Sequence, residues 1–296
     1  MLIQVGAESV AGAYALYAEG ETPSLLATRR IPVEVHEKEP HERAVLRALD
    51  TLGNALLREG APALLRASGS GRANTILVSV DTSWQKVGVR FERFERKEPF
   101  LFTKSMVTEA LRETSTVSEG ETLVDESVVS TVLNGYETRN PYGEMARHAS
   151  VAVLSSYVDT RIAEGIIAIL RGIYHTKKIR LIIGSSLRYQ AMRRAFSHER
   201  DALIFDALGP LTSVALIHNN LLVAIVNELS EFAGEHSLPH TVFLLANESE
   251  MPALKQKFNT SKVVPVLASH LTGLVRQATV APPDLPLSLM ALYLKR

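Results

Sequence analysis

The chain has 296 residues, 46% of them hydrophobic and 22% charged, enough to bury a sizeable core in two compact units, which excludes a disordered chain. Its 32 Lys and Arg balance its 32 Asp and Glu, so no net field favours nucleic acid or anionic lipid, and a neutral surface does little to oppose self-association. With no cysteine there is no disulfide, thiolate nucleophile or cysteine metal site, which fits a reducing compartment.

The first residues carry no basic segment before their apolar run and alternate like a strand hairpin, so they read as mature structure rather than a signal peptide. Alternation over residues 2–17 and 25–35, broken by Gly20 and Pro23, predicts a β-meander. From 41 to 66, Val45, Leu46, Leu49, Leu52, Leu56 and Leu57 recur at helical spacing, which predicts an amphipathic helix. Ser68-Gly69-Ser70-Gly71 lacks the following Lys-Ser/Thr of a phosphate loop and reads as a joint. A buried strand at 75–80 and an amphipathic one at 87–94 follow, with Trp84 between them as packing or as a partner anchor.

Residues 99–180 read as a smaller α+β unit: helix 103–113, strands 128–133 and 149–155, helix 160–174. The apolar run 162–174 contains Glu164 and Arg171 and is too short to cross a bilayer. A strand at 179–183, an arginine-rich helix at 187–196 and a strand at 202–206 resume the α/β alternation. Arg188, Arg193, Arg194 and Arg200 form a basic face, read as solvated, with an acidic partner as the alternative. Short elements follow at 241–245, 252–258 and 263–267, and residues 285–294 predict a terminal helix, placed in the core rather than in lipid. His148, His175, His198, His218, His236, His240 and His270 have no metal-ligand spacing on a helix, so no metal site is expected.

Most informative is 203–223: an apolar strand ending in Asp206, a turn containing Gly209 and Thr212, then a second strand closed by Asn219-Asn220. In such a turn backbone amides can face a phosphate. Here Pro210 removes one amide and Leu208 adds bulk.

The order of these parts resembles the actin-like ATPase superfamily, especially its cell-division (FtsA) and type IV pilus platform (PilM) branches. The superfamily's first phosphate hairpin has an Asp-x-Gly-Thr/Ser pattern. Residues 3–10 stand in its place, with Gly6 and Ser9 matching and Gln4 replacing the acid. Of its second pattern, Asp-x-Gly-Gly-Gly-Thr-Thr-Asp, the chain keeps Asp206, Gly209 and Thr212, while Ser213 replaces the metal-side Asp. The Gly-Gly turn under the adenine falls on Ala246 and Asn247, and Glu248 follows. The Asn-Gly and Asn-Pro-x-Gly turns within 128–143 resemble the inserted subdomain of the division actin.

The resemblance implies an α/β, actin-like fold of ribonuclease-H-like lobes: a first lobe in 1–98, an inserted α+β subdomain in 99–180, and in 181–296 the end of the first lobe with a reduced second one. The long helical lobe of the family is expected to shrink to a connection at 227–239. Each lost glycine puts a side chain where a phosphate would approach, and each lost acid removes metal-side charge, so ATP and magnesium are disfavoured and no cofactor is expected. The implied role is that of a non-catalytic pseudo-ATPase scaffold in pilus assembly or cell division, cytoplasmic and peripheral at the inner membrane face. It would bind a cytoplasmic segment of a membrane protein or form a homo-oligomer, without nucleic acid. A groove near Val151, Val153, Ile162 and Ile166 is the expected peptide site, with subdomain core as the alternative. The rival readings are a weak ATPase or kinase of the same superfamily that uses Asp206 and Thr212, and a polymerising filament protein.

Overall fold

A computed structural model describes residues 1–114, 117–138, 140–228, 230, 239–258, 262–278 and 282–295. Strands β1 (Leu2–Gly6), β2 (Ser9–Leu16) and β3 (Ser24–Pro32) form the predicted antiparallel meander. Helix α1 (His41–Ser68) then crosses over to β4 (Ile76–Asp81), which lies parallel to β1. The helix stops where Gly69 takes a left-handed φ of 74° and its N–H donates to the Leu65 carbonyl at 2.9 Å, so the expected joint is a helix C-cap. Strand β9 (Ile179–Ile183) pairs with β4, and β15 (Arg276–Gln277) pairs with β3 at the other edge. All five residues of β1 are buried, as befits a central strand covered on both faces.

The second sheet repeats this plan. Strands β10 (Ala202–Asp206), β11 (Ser213–His218) and β12 (Leu221–Val226) form a meander, and β13 (Thr241–Leu245) and β14 (Lys262–Pro265), joined through the short α5 (Met251–Gln256), add in parallel beside β10. The strand orders β3-β2-β1-β4-β9 and β12-β11-β10-β13-β14 are therefore equivalent. Asn219 and Asn220, both at positive φ (50° and 66°), make the tight turn between β11 and β12. The connection expected at 227–239 lies largely outside the described residues, as does His236.

Helices α4 (Gly184–Ala195) and α6 (Leu285–Leu294) sit between the sheets. Leu187, Met192, Leu289 and Met290 join Leu2 and Leu77 of the first sheet to Ile204 and Phe243 of the second in one core. Helix α6 is buried from Leu287 through Tyr293, which confirms its core placement and explains its lack of a polar face. The opposite face of the first sheet is covered by α1 and α3 (Thr160–Tyr174), where Leu49, Leu52 and Leu56 meet Ile162, Ile166 and Leu170.

The insert is a sheet in the order β5-β8-β6-β7, built from β5 (Gln85–Leu101), β6 (Glu121–Leu133), β7 (Tyr136–Glu137) and β8 (Met145–Asp159), with α2 (Lys104–Thr114) packed on it. An edge at Pro99 cuts through β5, whose pairing with β8 begins at Gln85. The apolar stripe of α3, expected within the insert, is buried against α1 instead. The first difference arises because the outer stretch of β5 carries charges that edge strands tolerate, so polarity hid its length; the second because apolar spacing shows that a face is covered without showing by what. Among the described residues, no helix is long and apolar enough to cross a membrane.

Candidate functional site

The two equivalent hairpins, β1–β2 and β10–β11, face each other across a cleft of about 990 Å³ between the sheets. Gln4, Gly6 and Ser9 line one wall, Gly209 and Thr212 the other, and Ala246 and Asn247 close it at the end of β13. Asp206 lies beneath them, 3% exposed, and Ser213 is buried opposite it in the β10–β11 register. The folded chain thus gathers the sequence-predicted positions around one cleft.

At its floor is a group that sequence reasoning missed. Arg188 of α4, 2% exposed, donates from Nη1 to Asp81 Oδ1 and from Nε to Asp206 Oδ2, each at 2.6 Å. Asp81 ends β4 in the first sheet and Asp206 ends β10 in the second, so one guanidinium joins the two lobes. The other carboxylate oxygens are also satisfied. Asp81 Oδ2 accepts from Gln4 Nε2 and Ser79 Oγ, both at 3.2 Å, and Asp206 Oδ1 accepts from the Leu208 N–H at 3.1 Å.

Burial works against charge on Arg188, yet the two adjacent carboxylates more than offset it and hold its pKa above the usual value. Burial likewise pushes the Asp206 carboxyl up, against the pull of Arg188. Gly184 opens α4 beside this bridge. A Cβ there would collide with Asp81 Oδ1 and lie 2.6 Å from Arg188 Nη1, so the approach requires glycine.

Nearer solvent, Arg30 of β3 occupies the first hairpin. It donates to Ser9 Oγ at 2.7 Å, to Gln4 Oε1 at 2.9 Å and to Asp284 Oδ2 at 2.6 Å. Asp284 also caps α6 by accepting the Leu287 N–H at 3.0 Å. In the second hairpin the Leu208 amide turns to its own Asp206, and Pro210 has none to offer. Glu8, Glu248 and Glu250 lie on the rim with Lys257, a field unfavourable to a triphosphate.

The basic face predicted on α4 is corrected. Arg188 points inward; Arg193 donates to the Glu199 carbonyl and to Asn220; Arg194 donates to the carbonyls of Leu292, Tyr293 and Lys295, closing the end of α6. The signal was legible, since Arg188 falls four residues after Gly184 and four before Met192, on the apolar side of the helix.

The expected peptide groove is also corrected. Val151 and Val153 are buried in the core of the insert, whereas Ile162 and Ile166 are buried against α1, so the four residues serve two separate cores. Trp84 is half-buried beside the His41 ring, 5.5 Å between centroids. His148, His175, His198, His218, His240 and His270 are exposed.

No protein-family model matches the chain, and no curated protein does. Among solved structures it is similar to a PilM-PilN type IV pilus biogenesis complex, with a TM-score of 0.57 and 14% identity over 99% of this chain and 96% of that one. A Bacteroides thetaiotaomicron protein of actin-like ATPase fold and unknown function aligns with a TM-score of 0.48 and 9% identity, over 98% of this chain and 94% of that one. An exopolyphosphatase from Cytophaga hutchinsonii aligns at 0.40 and 8% identity, over 87% of this chain and 71% of that one. Two sheets of equivalent topology around a cleft, with a third sheet inserted after β4, give this chain the actin-like fold, similar to that of the pilus complex.

Proposed function

We propose that this protein is a non-catalytic, actin-like scaffold of a membrane-associated assembly that binds a cytoplasmic segment of a membrane protein. The observation that carries the reading is the Asp81–Arg188–Asp206 bridge. Phosphoryl transfer depends on a metal ion and backbone amides that position and neutralise the phosphates. Here a covalently attached cation lies between the acidic side chains of the two lobes, and every carboxylate oxygen already has a donor. A divalent ion entering there would have to displace a buried guanidinium and leave it unpaired, which is strongly unfavourable.

The partner half of the reading draws on the similar structure, a PilM-PilN complex. A second cleft, of about 270 Å³, lies between the end of β4 and the insert, lined by Trp84, Gln85, Gly120, Tyr157 and Asp159. The half-buried Trp84 ring offers an aromatic face on which a side chain of an extended peptide would pack. Under this reading the protein works at the inner face of a membrane through its partner.

Isothermal titration of the protein with ATP and magnesium tests the proposal. No binding heat and no phosphate release are expected. Micromolar affinity with turnover abolished by Asp206→Ala would establish the rival ATPase reading. For the partner, capture of one membrane protein that is lost in Trp84→Ala is the expected result; capture unaffected by Trp84→Ala would remove the second cleft from the proposal.

A further inference from the structure

Strand β5 forms one edge of the inserted sheet, and among the described strands only β8 pairs with it. It runs for 17 residues, an unusually long open edge. From Phe91 to Pro99 one face of it turns to solvent: Phe91 is 52% exposed, and Arg93, Glu95, Arg96, Lys97 and Glu98 are exposed as well, while Phe94 packs on the core of the insert. Its regular ladder with β8 ends at Glu95↔His148 and resumes at Phe100↔Ala146, so residues 96–99 form a bulge in β5.

An open edge offers a row of backbone donors and acceptors, and charged side chains are one device that keeps such edges from pairing. The charges on β5 have a further property. Read outward from Phe94, the sequence is a charge palindrome: Arg93 mirrors Glu95, Glu92 mirrors Arg96 and Arg90 mirrors Glu98. In an antiparallel pair of two β5 strands about a two-fold axis at Phe94, Arg93 faces Glu95 within the regular part of the strand, and the charges beyond it, which run into the bulge at 96–99, meet no like charge. Moving the axis one residue toward the N-terminus puts Arg93 against Arg93 and Arg90 against Arg96. Moving it one residue the other way puts Glu95 against Glu95, Arg93 against Lys97 and Glu92 against Glu98. The edge therefore admits one register and rejects its neighbours, which is how charge selects a pairing.

We propose that the outer edge of β5 is a self-complementary interface, and that a second copy of this chain pairs with it antiparallel about Phe94 to form an isologous dimer with a continuous eight-stranded inserted sheet. Arg90 already pairs with Glu126 at 2.6 Å and Glu92 at 3.5 Å, so it adds little on dimerisation. The Arg93–Glu95 pair carries the discrimination, because Arg93 faces solvent and the His148 contact to Glu95 is 3.6 Å long between two exposed side chains. The two-fold axis makes each such pair occur twice, so one substitution is felt twice.

Sedimentation velocity over a concentration series of the full chain tests this. Wild type is expected to shift from monomer to dimer. Arg93→Glu places Glu against Glu95 at both symmetric positions, and Glu95→Arg places Arg against Arg93; each is expected to weaken the dimer by about tenfold or more. The double variant Arg93→Glu/Glu95→Arg restores opposite charges and is expected to return to within about threefold of wild type. All three variants change only exposed side chains, and circular dichroism verifies that the fold is kept. A wild type that stays monomeric at every concentration means that the charges only guard the edge, and it overturns the proposal. So does a dimer indifferent to the single substitutions, or a double variant no better than the singles.

Discussion

Replacing Arg188 by methionine removes the charge that joins the lobes while keeping much of the side-chain volume. Asp81 and Asp206, 1% and 3% exposed, are then left facing each other without a cation. Breaking a buried ion pair by removing one partner costs about 3–5 kcal/mol. A second route gives the same size: relief requires one carboxyl to bind a proton at pH 7, and raising its pKa from about 3.9 to about 7 costs about 4 kcal/mol at 1.36 kcal/mol per unit. For a chain of this length that corresponds to a fall in melting temperature of about 6–7 °C.

The sign of the pH dependence follows from the same step. In the variant the shared proton is bound in the folded state and released on unfolding, so the folded-state pKa lies above the unfolded value. Stability relative to wild type then recovers as pH falls from 7 toward 5, by up to about 2.7 kcal/mol. Magnesium should raise the variant's melting temperature and leave wild type unchanged, since only the variant has carboxylates free to hold it. Arg188→Met with Asp81→Asn and Asp206→Asn removes all the charge and should regain most of the loss. Thermal denaturation at pH 5 and pH 7, with and without magnesium, measures all of this. If Arg188→Met lies within about 1 kcal/mol of wild type at pH 7, the bridge is not what fastens the lobes.

Gly184→Ala should destabilise by about 1–3 kcal/mol in urea denaturation, because a Cβ there displaces Asp81 and Arg188 together. Glu39, at the turn into α1, has its carboxyl held down to about 2 by hydrogen bonds from the Arg47 side chain and the His36 N–H. That contribution exists above the ordinary carboxylate value of 4.5 and is lost as pH falls through about 2. Carboxyl titration by NMR should find the low value in wild type and the ordinary range in Arg47→Ala; an equal value in both would assign the shift elsewhere. Gln4→Ala removes the donor to Asp81 and the acceptor for Arg30. It should cost about 1–3 kcal/mol and leave the floor bridge in place.

The sequence carried the fold where one signal had one cause. Leu49, Leu52 and Leu56 repeat at helical spacing because they lie on the first sheet, and Asn219-Asn220 marks a turn because few other pairs take positive φ twice. The positions around the cleft were legible because hairpin turns have a chemistry of their own. What failed was the placement of charge. Arg188, Arg193 and Arg194 have the same composition as a solvated face, and only the helix phase, together with two acids 107 and 18 residues away, turns Arg188 inward. Asp81 left no local trace, since an acid at the end of a buried strand has meaning only through the partner that reaches it. The groove expected from Val151, Val153, Ile162 and Ile166 failed for the converse reason: apolar periodicity says that a face is covered, and not by what.

An internal cation at the floor of the cleft changes what the fold can do. Nucleotide and metal are exchangeable, so a cleft held by them can be loaded and emptied, and its two lobes can be switched. A guanidinium on α4 cannot leave, and its bridge is present whenever the chain is folded. The energy that a bound metal would supply on loading is built into folding here, and a ligand with no differential affinity for open and closed forms shifts nothing. If the protein is the scaffold proposed above, its control falls to the two surfaces proposed for partners, the cleft beside Trp84 and the open edge of β5. The β5 edge lies on the inserted subdomain, and the cleft lies at its root, where Trp84 follows the bridge's Asp81 by three residues.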